Sequence, residues 1–403
     1  MNSTSQGRQA VIVDVARTAV GKGKPGGALS SSHPVDLLAT VLRSLVDRNG
    51  IDPAQVDDVI AGCVQQVGVQ AGNVAHVASL AAGFPESVPG TTVNRQCGSS
   101  QQAATFAAQS IIAGSCDIVL AGGVEVMSQV PLGRAPGGED NFGPRIADRY
   151  PEGLVRQGIS AELVAARWGL DRDDLDRFAA ESHRRAAAAQ AAGRFDRVMV
   201  EIEVPDGRGG TRIHRVDETI RPDTTPETLA GLAPSFKEDR YSERFPEITW
   251  SVTPGNSSPL TDGASAVLIV EAQTADRLGL APRARFVGFS VVGDDPLLML
   301  TAPIPATRRV LDRTGLTIDD LDAYEVNEAF ASVPLAWAHD MKADPEKMNP
   351  WGGAIALGHP LGSSGTRLLG TLVEVLEAQG GRYGLQTMCE AGGLANATVI
   401  ERC

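Results

Sequence analysis

The chain repeats itself, and this limits its fold more than any other feature. The segment GIDPAQVDDVIAG at 50–62 returns as GLTIDDLDAYEVN at 315–327, with a glycine, an acidic turn and an apolar–Asp step into a strand. CGSSQQA at 97–103 returns as LGSSGTR at 361–367, and AGSCDIVLAGG at 113–123 returns in outline as GGRYGLQTMCEAGG at 380–393. The pairs keep their order at offsets of 265, 264 and 270 residues, a register that chance does not supply three times. Each half reads as α/β, because short β-branched runs bounded by glycine alternate with Ala/Leu-rich helical stretches. Runs at 11–15, 59–63 and 117–121 read as strands, the last ending at Gly122-Gly123, while 34–48 and 101–113 read as helices. A length of 403 residues also calls for more than one ordinary core.

A segment of different character separates the halves. It holds a Gly/Pro-rich loop at 131–143, a long Ala- and Arg-rich helix at 173–192 and a polar, turn-rich stretch at 206–221. The expected division is a first half of 1–123 with 251–275, an insertion of 124–250 and a second half of 276–403. Loops inserted into a rigid scaffold commonly carry ligand contacts.

Composition excludes several classes. A net charge of −13 without a Lys/Arg block argues against a nucleic-acid partner, although a local basic cluster can still meet an anionic substrate. The five cysteines at 63, 97, 116, 389 and 403 have neither disulfide-framework nor zinc-ligand spacing, so no metal is expected. The polar opening MNSTSQGRQA lacks a signal-peptide core, and no apolar run approaches the ~18 residues of a membrane span. A cytoplasmic protein is expected.

Cys97 lies between the strand-like TTVN and the helix GSSQQAATFAAQSII. Free N–H groups and the dipole of a helix start are expected to depress its pKa, yet on local grounds a buried filler cysteine fits equally well. His359 stands in the Gly-rich turn GGAIALGHPLGSSGTR, beside the repeat position equivalent to Cys97, so a pseudo-twofold brings the two turns together. Cys389 ends the apolar run LQTM; a reactive thiol in a narrow pocket and a core cysteine are both open. Asn327 closes the strand at 323–326 and can hold a water or orient a carbonyl, whereas Glu328 reads equally as a structural carboxylate. Cys63 and Cys116 read as residues of apolar strands, and the histidines other than His359 as residues without partners.

VNRQCGSSQQA, AGGVEVMS, RPDTTPETLAGLAPSF, GNSSPLTDGASAV, YEVNEAF, GGAIALGHPLGSSGTR and TMCEAGG closely resemble the thiolase family, in order and along nearly the whole chain. The resemblance implies the thiolase fold: two βαβαβαββ halves in an α/β/α/β/α layering, with a loop domain inserted in the first. It implies Cys97 as the acylated nucleophile, His359 as its activating base, Asn327 as the holder of an oxyanion-site water and Cys389 as the acid–base for the carbon that is made or broken. The N–H groups of Cys97 and Ala391 would form a second oxyanion hole, while Arg221 and Ser258 would contact coenzyme A. It further implies reversible cleavage of 3-ketoacyl-CoA, with acyl-CoA and coenzyme A as substrates, no bound cofactor, and a homodimer or homotetramer using the loop at 131–143.

Four departures accompany the match. Ala391 replaces the first glycine of CxGGG, which would strain the hole if the position required positive φ. Gln157 replaces a pocket methionine, and is either a polar wall of a wider acyl pocket or a solvent-facing residue. Pro259 follows Ser258, and 240–250 is extra length carrying Tyr241, Phe245 and Trp250. Alternatives are a biosynthetic acetoacetyl-CoA thiolase and a catalytically silent acyl-CoA binder. Decarboxylating relatives carry His or Asn where Cys389 stands.

Overall fold

The computed structural model describes residues 7–403; the polar opening at 1–6 lies outside the described residues. Nine strands carry the fold: β1 Ala10–Thr18, β2 Asp58–Gly62, β3 Gly90–Val93, β4 Ile118–Val126, β5 Thr261–Glu271, β6 Ala284–Gly293, β7 Ala323–Val326, β8 Tyr383–Glu390 and β9 Leu394–Arg402. The helices used below are α1 Pro34–Asn49, α2 Val74–Ala81, α3 Ser99–Ile112, α4 Gln157–Trp168, α5 Arg172–Ala191, α6 Pro303–Thr314, α7 Ser332–Met341 and α8 Ser364–Gln379.

The duplication is visible in the pairing. The first half orders its strands β1-β5-β4-β2-β3 and the second β6-β9-β8-β7. The second-half counterpart of β3 is reduced to a single bridge between Tyr324 and Met348. The two sheets join through a short antiparallel ladder, Val11 opposite Arg285 and Ile12 opposite Ala284.

Strand alternation sorts side chains into layers. In β1, β4 and β5, Val11, Val13, Leu120, Leu268 and Val270 pack on one face with Leu38, Leu42 and Leu45 of α1. Their neighbours Ile12, Val119, Ala121, Val267 and Ile269 pack on the other face with Ala107 and Ile111 of α3 and Leu369, Leu372 and Leu376 of α8. The far face of the second sheet, with Tyr324, Leu385 and Val399, is covered by Val310 of α6 and Trp337 of α7. The result is α/β/α/β/α, with α3 and α8 as the shared central layer. Leu372 is fully buried there, and its truncation to Ala is worth about 2–5 kcal/mol.

Two local expectations are corrected. β4 does not end at Gly122-Gly123 but runs on to Val126, because both glycines pair with β5 and lie too close to its neighbours for a side chain. The boundary drawn at 123 therefore cuts a strand. Cys116 stands in the turn before β4, half-buried, rather than in a strand.

The insertion is packed onto the core rather than set apart from it. Met199 and Val200 add a short parallel ladder to Arg17 and Thr18 of β1. The extra segment at 240–250 buries Tyr241, Phe245 and Ile248 against Val155, Ile159 and Leu163, so it covers α4 instead of looping into solvent.

Candidate active site

The equivalent turns before α3 and α8 meet at the centre of the molecule. Ser100 Oγ accepts from Thr366 N at 3.0 Å, and a Cβ on Gly365 would stand 2.1 Å from Gln101 N, so the helix starts touch backbone to backbone. Cys97 packs here with Leu361, two residues beyond His359, and with Met388, next to Cys389. Gln96, just before Cys97, holds φ at 49°, a left-handed conformation that β-strand and helix residues avoid. Ser99 Oγ donates to Gln96 O at 2.5 Å and accepts from Arg95 N at 2.9 Å, pinning the turn.

Burial governs the thiols. Cys97 is pushed up to about 12, by burial first and then by Glu390, against hydrogen bonds from the Gln157 side chain and from the N–H groups of Cys97 and Ala391. The expected depression is thus reversed: desolvation outweighs the helix start and every donor. Gln157 opens α4 and is half-buried. Ala391 does not have positive φ, a conformation left to Gly392 and Gly393, and its Cβ introduces no backbone strain. Cys389 is buried in β8 and is raised well above its ordinary value by burial and then by Cys97.

His359 is neutral, lowered to about 3 by burial and by the nearby Arg367 guanidinium. Ser364 Oγ donates to Pro360 O at 2.8 Å, so the 2.6 Å contact to Ser364 takes its hydrogen from His359 Nδ1. Nε2 keeps a lone pair and faces Asn327 Nδ2 at 3.4 Å. Asn327 Oδ1 is buried without a partner among the described residues. An unpaired amide oxygen there fits a bound water or a substrate donor.

Glu328 takes its structural alternative. It accepts from Ser182 Oγ at 2.7 Å, Asn349 Nδ2 at 2.8 Å and Ile355 N at 3.1 Å, clamping the chain before His359. Sequence reasoning missed Asn349, whose Oδ1 also accepts from Val326 N at 2.9 Å and so steadies the strand that ends at Asn327. It also missed Glu125. Glu125 Oε2 accepts from Val64 N at 2.9 Å and Gly362 N at 3.0 Å, while Oε1 accepts from Gln70 Nε2 at 2.8 Å and Gln65 N at 3.1 Å. One carboxylate thereby ties the Cys97 half to the His359 turn; the signal was a glutamate inside the apolar run GGVEV.

The coenzyme A candidates lie apart from the thiols. Arg221 is exposed beside Lys22 and Lys24 in a cavity of about 400 Å³ whose other wall is Pro259 and Leu260, next to Ser258. Ser258 N donates to Ala329 O at 2.9 Å, leaving its hydroxyl without a described partner. Three histidines read as partnerless are engaged: His183 Nδ1 accepts from Arg221 N at 3.1 Å, His33 Nδ1 from Val35 N at 3.3 Å, and His339 lies 3.3 Å from Asp340. Short-range capping and cross-domain contacts of this kind leave little trace in composition.

Models of the thiolase N-terminal and C-terminal domains match residues 10–273 and 280–402. The chain belongs to the thiolase family. It is 49% identical over 412 residues to the steroid 3-ketoacyl-CoA thiolase FadA6 of Mycobacterium tuberculosis, covering 99% of this chain and 97% of that one. It is 44% identical to a 3-ketoacyl-CoA thiolase of Pseudoalteromonas translucida, covering 97% and 98%. Among solved structures, the Bacillus anthracis acetyl-CoA acetyltransferase superposes with a TM-score of 0.87 at 37% identity, covering 98% and 99%. Human mitochondrial 3-ketoacyl-CoA thiolase does so at 0.86 and 35%, with the same coverage. The thiolase is an acyltransferase that works on coenzyme A thioesters without a metal or prosthetic group. No described helix is long and apolar enough to cross a membrane.

Proposed function

We propose that this thiolase degrades 3-ketoacyl-CoA esters larger than acetoacetyl-CoA, through an acyl thioester on Cys97. The observation that carries the reading is the meeting of the turns before α3 and α8, which packs Cys97 against Leu361 of the His359 turn and against Met388, the neighbour of Cys389. His359 Nε2 takes the Cys97 proton. The thiolate then attacks the 3-keto carbon, and the Cys97 and Ala391 N–H groups receive the oxyanion. Carbon–carbon cleavage expels the acetyl-CoA enolate, whose oxygen is met by protonated His359 and by a water on Asn327. Cys389 protonates its carbon. Coenzyme A gives its thiol proton to Cys389 and discharges the acyl group. Losing one oxyanion donor typically removes ~3–4 kcal/mol of such stabilisation.

Arg221 and Ser258 bind coenzyme A, with Lys22 and Lys24 adding positive charge beside them. A division into two halves around an insertion reaching 250, with the first boundary moved from 123 to the end of β4 at Val126, belongs to the same proposal. Substrate size is assigned to Gln157; its neighbour Gly158 lies against the Phe236 ring, which is edge-on to Phe330 at 6.0 Å. An amide in a purely alkyl pocket would lie unpaired at about 1–3 kcal/mol, so a wider, partly polar pocket fits it better. The names of the two curated relatives point the same way.

A second copy of the chain is the expected partner, as homodimer or homotetramer in the cytoplasm. β3 is an open sheet edge, and Val77, Leu80 and Phe106 on the helices beside it expose apolar surface. Sedimentation showing only monomer would remove that part. Function is tested with a panel of 3-ketoacyl-CoA esters from four carbons to bulky rings. Higher kcat/KM for the larger esters is expected; a clear preference for acetoacetyl-CoA refutes the substrate assignment.

A further inference from the structure

Glu390 follows Cys389 at the end of β8 and is completely buried. Neither carboxyl oxygen has a hydrogen-bond partner among the described residues. The carboxyl rests on the backbone of Gly98, the residue after Cys97: a Cβ there would stand 1.9 Å from Glu390 Oε1 and 2.7 Å from its Cδ. Gly98 has φ −88°, which any residue adopts, so the glycine makes room for this side chain rather than for a turn. The groups that face the carboxyl are the Cys97 and Cys389 thiols, the Asn396 N–H and the Arg95 guanidinium.

A buried carboxylate without partners is unfavourable, and burial outweighs Arg95 here, holding Glu390 well above the usual carboxyl range. An anion at this spot would also oppose every negative charge the reaction makes, first on the Cys97 sulfur and then on the departing enolate. We propose that Glu390 is a positioning residue whose carboxyl stays uncharged so that Cys97 can become a thiolate, and whose ionisation sets the alkaline limit of acyl transfer. No proton passes through it: the Cys97 proton goes to His359, and Glu390 keeps its own. The proposal rests on the reading of Cys97 as nucleophile.

The test follows acetylation of Cys97 by acetyl-CoA, quenched and read by peptide mass, from about pH 6 to pH 10. No free coenzyme A thiol enters this half-reaction. In the natural chain the rate rises with pH and the rise then breaks. Glu390→Gln is neutral throughout and removes the break, so its advantage over the natural chain grows about tenfold or more across the alkaline range. Arg95→Gln removes the cation that favours the carboxylate and moves the break to higher pH. A merely structural glutamate would change the amplitude but not the shape. If Glu390→Gln does not fold, Arg95→Gln decides alone, and an unmoved break overturns the proposal. Profiles of one shape with Cys97 acetylated throughout overturn it too, leaving the nucleophile in place. Absence of acetyl on Cys97 in the natural chain overturns both.

Discussion

At the scale of single residues, the two thiols are chemically alike but differ in what they are asked to move. In the proposed mechanism Cys97 accepts an acyl group, and Cys389 accepts and returns a proton. Cys389→Ala is therefore expected to keep acetylation of Cys97 by acetyl-CoA within about tenfold, while exchange of the acetyl α-protons with deuterium oxide disappears. Exchange that persists would transfer the proton role to His359. His359→Ala removes the lone pair that faces Asn327 and leaves a thiol pushed up to about 12 without a base. Alkylation of Cys97 by iodoacetamide at neutral pH should slow by two orders of magnitude or more, on the order of 3 kcal/mol. Gln157→Met should shift selectivity toward shorter acyl chains and slow the same alkylation, because one donor to the sulfur is lost. Unchanged selectivity would return Gln157 to a bystander.

At the scale of elements, the site depends on the tie between the halves. Glu125→Ala leaves the N–H groups of Val64, Gln65 and Gly362 and the Gln70 amide without their acceptor. A stability loss of about 3 kcal/mol or more is expected in urea unfolding, with a larger fall in kcat than in stability-matched core variants. Equal kcat would mean that the His359 turn is held without Glu125. This tie also shows where reading a sequence stops. The strand Ala323–Val326 and the turns of Cys97 and His359 were legible because the duplication and the glycine motifs are local patterns. Gln157 was legible only as a departure from a family pattern. Glu125 and Asn349 were not, because a buried carboxyl or amide is defined by partners far along the chain, as with Glu125 and Gly362; Glu390 was not, because the Gly98 backbone it rests on is brought beside it only by the fold. The depressed thiol pKa was misjudged for the same reason: helix starts are local, and desolvation belongs to the whole assembly.

At the scale of the whole molecule, burial of neutral imidazoles makes the fold sensitive to acid. His359 is lowered to about 3 and His183 to about 4, both chiefly by burial. Groups whose folded pKa is depressed contribute stability that is complete above the unfolded value near 6.5 and is lost as pH falls toward the folded one. Between those limits the effect is on the order of 5 kcal/mol for His359 and 3 kcal/mol for His183. His183→Gln should consequently lose less stability than the natural chain between about pH 7 and pH 4.5 in matched urea titrations. Parallel losses would contradict the buried, neutral state of His183. Carboxyls raised by burial, such as Glu125 and Glu162, act in the opposite sense, so the comparison between variant and natural chain is what isolates the histidine.

The strand order also has a consequence for the chain as it is being made. β5 fills the gap between β1 and β4, yet it begins at Thr261, long after β4 ends at Val126. While a ribosome adds the intervening segment, the nascent sheet is open down its middle, and two apolar strands wait with bare edges. Synthesis at about 5–20 residues per second makes that wait several seconds long. The first half can close only when the insertion has been completed and tucked aside, so the inserted segment is also a delay written into the birth of the protein. Slower translation through 127–260 should increase the fraction lost to aggregation, and a circular permutant that delivers β5 directly after β4 should lower it.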